Sequence, residues 1–203
     1  MSRNTQAQIE DALKRLMERK SPDRITVQEL ADEANVNKKT FYYHYHSIPD
    51  LLIRMYSAEF YRLLDNEGVT AANWTVYIRK FAASIRGGGK ILSSIISSSY
   101  MPEFMNAMQK LIDHGVEMYV RSSLADWEKR YACSLPLTDK ELAYLISYHS
   151  QALAGMYVRW FNLGMQESDE EFADWILLLA NNSLFSSFRL LYTKRTGLRS
   201  GLL

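Results

Sequence analysis

The sequence predicts an all-α protein, on three observations. Apolar residues recur at three- and four-residue steps along most of the chain, only four prolines and nine glycines interrupt them, and no βαβ alternation appears. The 203 residues suffice for one core, or for a small module joined to a larger one. Hydrophobic residues at 47% and charged residues at 23% exclude a disordered or fibrous class. With 24 basic against 23 acidic residues the net charge is only +1, so any affinity for nucleic acid is local. Cys133 is the single cysteine, which excludes an internal disulfide and a multi-cysteine metal site and fits a reducing compartment.

The elements follow in chain order. Ile9, Ala12, Leu13, Leu16 and Met17 line one face of a first helix that stops before "KSPDR". Thr26 followed by Glu29 is a capping box, so a second helix starts there and runs over 27–34. Asn35 tolerates the left-handed conformation that ends a helix, and Asn37 caps the next, giving two short helices across a tight turn. Ser47 with Asp50 reads as another box, with Pro49 in the first turn of a longer helix over 48–65. Beyond 68 the pattern stays helical, with breaks at Gly87–Gly89, near Pro102, at "CSLPLT" and at "GMQESD". Thr138 with Glu141 and Ser168 with Glu171 predict that the last two helices begin near Asp139 and Asp169.

The first twenty residues hold no apolar block of the secretory kind, and the longest uncharged run, 142–158, is too short and too polar to span a membrane. A cytoplasmic location is the expectation.

Chemistry concentrates in "VNKKTFYYHYHS", Val36 to Ser47. On a helix over 38–45, Phe41 and Tyr45 share one face and pack beneath Leu30, Ala34 and Val36. Lys38, Lys39, Tyr42, Tyr43 and His44 then project the other way, as cations and polar rings at a helix start. Lysines pair with phosphates or guanine edges, hydroxyls and imidazole donate to phosphate oxygens, and ring faces touch thymine methyls. A helix, a tight turn and a second helix of this kind is the helix-turn-helix mode of reading a duplex.

The stretch "ITVQELADEANVNKKTFYYHYHSIPDLL" resembles the DNA-binding module of the TetR-like (tetracycline repressor-like) transcriptional regulators, most closely over residues 9–60. The rest is similar in length, in helical character and, loosely, in "YHSQALAGMYVRWFNLGM". The resemblance implies a helix-turn-helix domain over 1–48 and a helical ligand-binding and dimerisation domain over 49–203. It places recognition-helix contacts on Lys38, Lys39, Thr40, Tyr42, Tyr43 and His44, with Lys38, Lys39 and Tyr43 reading bases. Backbone contacts fall on Thr26, Asn37 and Ser47. Three positions depart from the family's pattern: Asn35 stands where glycine is common, Lys39 where a small residue or proline often sits, and Ile48 where a phosphate-binding lysine is frequent.

Other constellations carry less chemistry than this one. His44 and His46 diverge on a helix and lack a third ligand, so no metal is expected. Motifs for nucleophilic catalysis and the P-loop spacing are absent, so neither an enzyme nor a cofactor is expected. Met101, Phe104, Met105 and Met108 form a stripe which, with Met118 and Tyr119, suits an adjustable apolar pocket or an ordinary core; His149 and Arg159 are candidate polar groups at its wall. Leu145, Leu153 and Tyr157 of one helix, with Phe172, Ile176, Leu179 and Ser183 of the last, suit a symmetric four-helix dimer interface or internal packing. The resemblance favours a homodimer on a palindromic operator, a small-molecule effector, and repression over activation or coactivation. A helical protein-interaction module is the rival reading.

Overall fold

The computed structural model describes residues 2–197, without the side chains of 2–4, 59, 60 and 62–67. Met1 and 198–203, which close the two expected domains, lie outside the described residues. Among the described residues there are eight α-helices and no strand: α1 (Ser2–Met17), α2 (Val27–Glu33), α3 (Lys38–His44), α4 (Ile48–Glu67), α5 (Trp74–Ile96), α6 (Met101–Tyr131), α7 (Asp139–Asn162) and α8 (Asp169–Thr196). The all-α expectation holds. A single 3-10 turn, Pro22–Arg24, links α1 to α2.

Local signals account for most of the boundaries. Thr26 and Glu29 satisfy each other's backbone N–H at the start of α2, and Thr138 and Glu141 do the same for α7. Ser168 accepts the Glu171 N–H at the start of α8. The Ser47–Asp50 box is altered: Ser47 Oγ accepts the Asp50 N–H at 3.2 Å, but the Asp50 carboxylate reaches the N–H of His46, one residue further back, at 2.8 Å. The expected break at Gly87–Gly89 is present as a joint within α5: at Gly89 φ is 32° and ψ −112°, outside helical geometry and a backbone that only glycine adopts without strain, so two helical stretches meet there in a kink.

The chain divides into two compact units. The first takes in the chain to Arg62 together with Gly87–Met108, and the second Leu63–Arg86 together with the chain from Gln109. In the first, α1 buries Ile9, Ala12, Leu13, Leu16 and Met17 against a core that includes Leu30, Phe41, Leu51 and Leu52. Each of these side chains except that of Ala12 contributes about 1.5–3 kcal/mol by leaving water. Tyr56 of α4 meets Phe104 edge-on at 5.5 Å, and a Cβ added at Gly88 would lie 3.2 Å from the Tyr56 ring.

In the second unit, Trp74 stacks on Tyr119 at 4.7 Å and Trp160 on Phe172 at 4.5 Å. The buried Tyr157 hydroxyl donates to the Ile78 carbonyl at 2.9 Å. The Arg86 guanidinium bonds the Asp169 carboxylate at 2.8 Å and the carbonyls of Met165 and Glu167 at 3.2 and 2.6 Å, while lying 5.0 Å from the centre of the Trp160 ring. One side chain of α5 thereby fixes the α7–α8 loop. No helix among the described residues is long and apolar enough to cross a membrane.

Candidate nucleic-acid interface

The site is built from α2, the turn after it and α3. Glu29 accepts the Thr26 N–H and hydroxyl at 3.0 and 3.1 Å and an ammonium hydrogen of Lys20 at 2.5 Å. The Lys20 bond, followed by those from Thr26, lowers its carboxyl to about 2. The α2 start is therefore held by an ionised cap across the neutral range. At the turn, Asn35 takes φ 54° and the Val36 N–H returns to the Ala31 carbonyl at 2.9 Å. Asparagine adopts the left-handed conformation where the family commonly uses glycine.

Asn37 starts α3, its Oδ1 accepting the Thr40 N–H and hydroxyl at 2.8 and 3.0 Å. Asn37 is exposed, and its carboxamide N–H groups are donors of the kind that a phosphate oxygen accepts. Phe41 is fully buried and Tyr45 nearly so. The Tyr45 hydroxyl donates to Glu10 Oε1 at 3.1 Å, and burial, with Glu10 beside it, pushes its phenol well above the ordinary value. Phe41 anchors α3 on its buried side, and Tyr45, at its end, ties it to α1 through Glu10.

On the other side Lys38 and Lys39 are exposed, Tyr42 is 54% and Tyr43 82% exposed, and His44 is half-buried edge-on to Tyr43 at 5.0 Å. The structure thus brings Lys38, Lys39, Tyr42, Tyr43 and His44 onto one helix, with Thr26, Asn37, Thr40 and Ser47 at the starts of α2, α3 and α4. Ile48 is buried, so its side chain belongs to the core and the start of α4 offers only Ser47, His46 and backbone amides. Among the described residues no group of three His, Cys, Asp or Glu side chains could hold a metal ion.

The residues expected at an effector pocket divide between the two units. Met101 is exposed, Phe104 and Met108 are buried and Met105 is half-buried, all in the first. In the second, Met118 is half-buried, Tyr119 is buried with its hydroxyl on Asn181 Oδ1, and Arg159 is exposed. His149 is buried, with Nδ1 on the Leu145 carbonyl at 2.8 Å and Nε2 on Ser183 Oγ at 3.0 Å, so both ring nitrogens are occupied by α7 and α8. A groove of about 310 Å³ runs along Arg121, Leu124, Glu128, Leu135, Pro136 and Leu142, none of them among the expected lining residues.

The residues expected either to dimerise or to pack internally differ in burial. Leu153, Tyr157, Phe172 and Ile176 are buried within the chain, Leu145 and Ser183 are half-buried, and only Leu179 is exposed. Both helices, α7 and α8, carry apolar residues on two sides, and Leu153, Tyr157, Phe172 and Ile176 lie on the inner one. The outer side presents Tyr144 and Tyr148 on α7 and Trp175, Leu178 and Leu179 on α8. The four-residue spacing of Tyr144 to Tyr148 and of Trp175 to Leu179 was the available signal.

Two family descriptions match. "Bacterial regulatory proteins, tetR family" covers residues 9–55, and "Transcriptional regulator C-terminal region" covers 72–182, more than half of the chain. No curated protein matches significantly. Among solved structures, the dihydroxyacetone kinase operon activator DhaS is similar with a TM-score of 0.65 at 17% identity, covering 89% of this chain and 96% of that one. A TetR transcriptional regulator from Streptococcus agalactiae 2603V gives 0.57 at 18% identity, covering 88% and 94%. FadR from Bacillus subtilis, in complex with stearoyl-CoA, gives 0.55 at 14% identity, covering 86% and 96%. At these identities the likeness is one of fold. The helix-turn-helix geometry and the two family matches lead to one conclusion: this chain belongs to the tetR family of bacterial regulatory proteins.

Proposed function

We propose that the protein is a cytoplasmic, homodimeric, sequence-specific DNA-binding repressor that a small-molecule effector releases from a palindromic operator. One observation carries the reading: α3 presents Lys38, Lys39, Tyr42 and Tyr43 to solvent while Phe41 and Tyr45 hold it from the buried side. Laid in a major groove, Lys38, Lys39 and Tyr43 meet base edges. Thr26, Asn37, Thr40, Ser47 and the remaining rings meet phosphates and set the register. A pair of such helices reads half-sites about 34 Å apart, or a multiple of that. The exposed apolar side of α7 and α8, with Tyr148, Trp175 and Leu179, supports self-association.

Release works as a population shift: an effector that prefers the dimer with misplaced recognition helices lowers operator affinity by its difference in affinity for the two states. Trp74 Nε1 and Ser150 Oγ are buried with no hydrogen-bond partner among the described residues, and such atoms suit a bound polar molecule. The acyl-CoA complex of the similar FadR supports an effector in general. Activation is the second reading, favoured by the operon activator among the similar structures, and it uses the same α3 surface.

Selection of bound duplexes from a random pool tests the reading. A symmetric site should emerge, its affinity should fall steeply with salt, and Lys39→Ala should change the preferred sequence. Equal retention of random and selected duplexes would refute it.

A further inference from the structure

The α5–α6 turn bonds directly to the entry of the helix-turn-helix, inside the first unit. Asp23 sits in the 3-10 turn Pro22–Arg24, and its Oδ1 accepts the Ser99 N–H at 2.9 Å and the Ser99 hydroxyl hydrogen as well. Its Oδ2 accepts the Ser21 hydroxyl at 3.0 Å. Ser99 is presented by a turn that its neighbour shapes: Ser98 Oγ donates to the Ile95 carbonyl at 2.7 Å and accepts the Tyr100 N–H at 3.2 Å.

On the other side of the contact the chain has little slack. Pro22 and Ile25 are buried, the Arg24 N–H bonds the Ser21 carbonyl at 3.0 Å, and the Ile25 N–H bonds that of Pro22 at 3.1 Å. The next residue is Thr26, the cap of α2. A carboxylate with three donors fixed on it, two of them from a segment 76 residues away, is worth more than ordinary surface bonds.

We propose that Asp23 is a positioning residue through which the α5–α6 turn sets the placement of α2, and with it the presentation of α3. Met101 and Phe104, in the first turn of α6 just beyond Ser99, are where a displacement would enter this route. The two Ser99 bonds also hold the Asp23 carboxyl below its ordinary range, which keeps it ionised at neutral pH. Only the last link, from α3 to a duplex, rests on the proposed function.

The full-length protein tests the idea by amide hydrogen exchange and by affinity for the selected duplex. Ser99→Ala and Asp23→Ala should each speed exchange over 22–36 while leaving α7 and α8 unchanged, and should weaken duplex binding about five-fold. The double variant should be no worse than Asp23→Ala, and Ser99→Thr, which keeps the hydroxyl, should behave as wild type. Additive effects, unaltered exchange over 22–36 in Ser99→Ala, or a Ser99→Thr variant as impaired as Ser99→Ala would overturn the proposal. If the wild type selects no duplex, the DNA-binding reading fails and the exchange pattern alone decides the role of Asp23. If Asp23→Ala does not fold, the comparison of Ser99→Ala with Ser99→Thr decides it.

Discussion

Removing one ring at a time from α3 separates anchoring from contact. Phe41 is wholly buried and meets the rings of Tyr42 and Tyr45 at 5.4 and 5.8 Å. Phe41→Ala therefore loses both the transfer free energy of the ring and the packing around its cavity, about 3–5 kcal/mol together. Against a total stability of about 5–15 kcal/mol, that raises the unfolded fraction by two orders of magnitude or more. Tyr43, two residues on, is 82% exposed, so Tyr43→Ala should leave stability within about 0.5 kcal/mol of wild type. If it touches a base, its loss should cost about 1–3 kcal/mol of binding, or about 5- to 150-fold in Kd. Urea unfolding followed by circular dichroism measures the first effect, and fluorescence anisotropy with the selected duplex the second. A loss below about 1 kcal/mol for Phe41→Ala, or wild-type binding by Tyr43→Ala, refutes the division of α3 into two faces.

Three further perturbations probe the second unit. Arg86→Ala removes the bonds to Asp169, Met165 and Glu167. Because the side chain is partly exposed, the loss should be about 1–2 kcal/mol by urea unfolding, and Arg86→Lys, lacking the planar fork, should not restore it. Burial pushes the His149 imidazole below its ordinary value of 6.5. The unfolded chain then binds a proton that the folded chain resists, so stability should be level above pH 6.5 and fall as the pH drops below it. His149→Gln should flatten that slope, and an unaltered slope in urea titrations at several pH values would contradict the assignment. Trp175→Glu, on the open side of α8, should convert dimers to monomers in sedimentation velocity without changing helix content, and an unchanged sedimentation coefficient would remove α8 from the interface.

What was legible in the sequence was local. Thr26–Glu29 and Thr138–Glu141 announce helix starts because a capping box closes over four consecutive residues, and the positions of Phe41 and Tyr45 follow from helical spacing on a short segment. The face of α3 that meets solvent was readable for the same reason. Less accessible was anything decided by distant chain. Leu153 and Phe172 differ from Tyr148 and Trp175 only in which apolar side of the helix meets the rest of the chain, and a one-dimensional pattern is blind to that choice. The joint at Gly87–Gly89, by contrast, was legible, because three glycines in succession leave the backbone free to take the non-helical φ and ψ found at Gly89. Asp23 and Ser99 carried no sign of each other, since the bond between them depends on two turns meeting in space.

The close approach of Tyr56 to Gly88 ties the histories of two sites 32 positions apart. Even a methyl at 88 asks the phenol ring to retreat by a few tenths of an ångström, and a branched chain there would evict it. Descendants of this sequence that enlarge residue 88 should therefore be found to have shrunk residue 56 as well, a correlated drift that a family-wide comparison can look for.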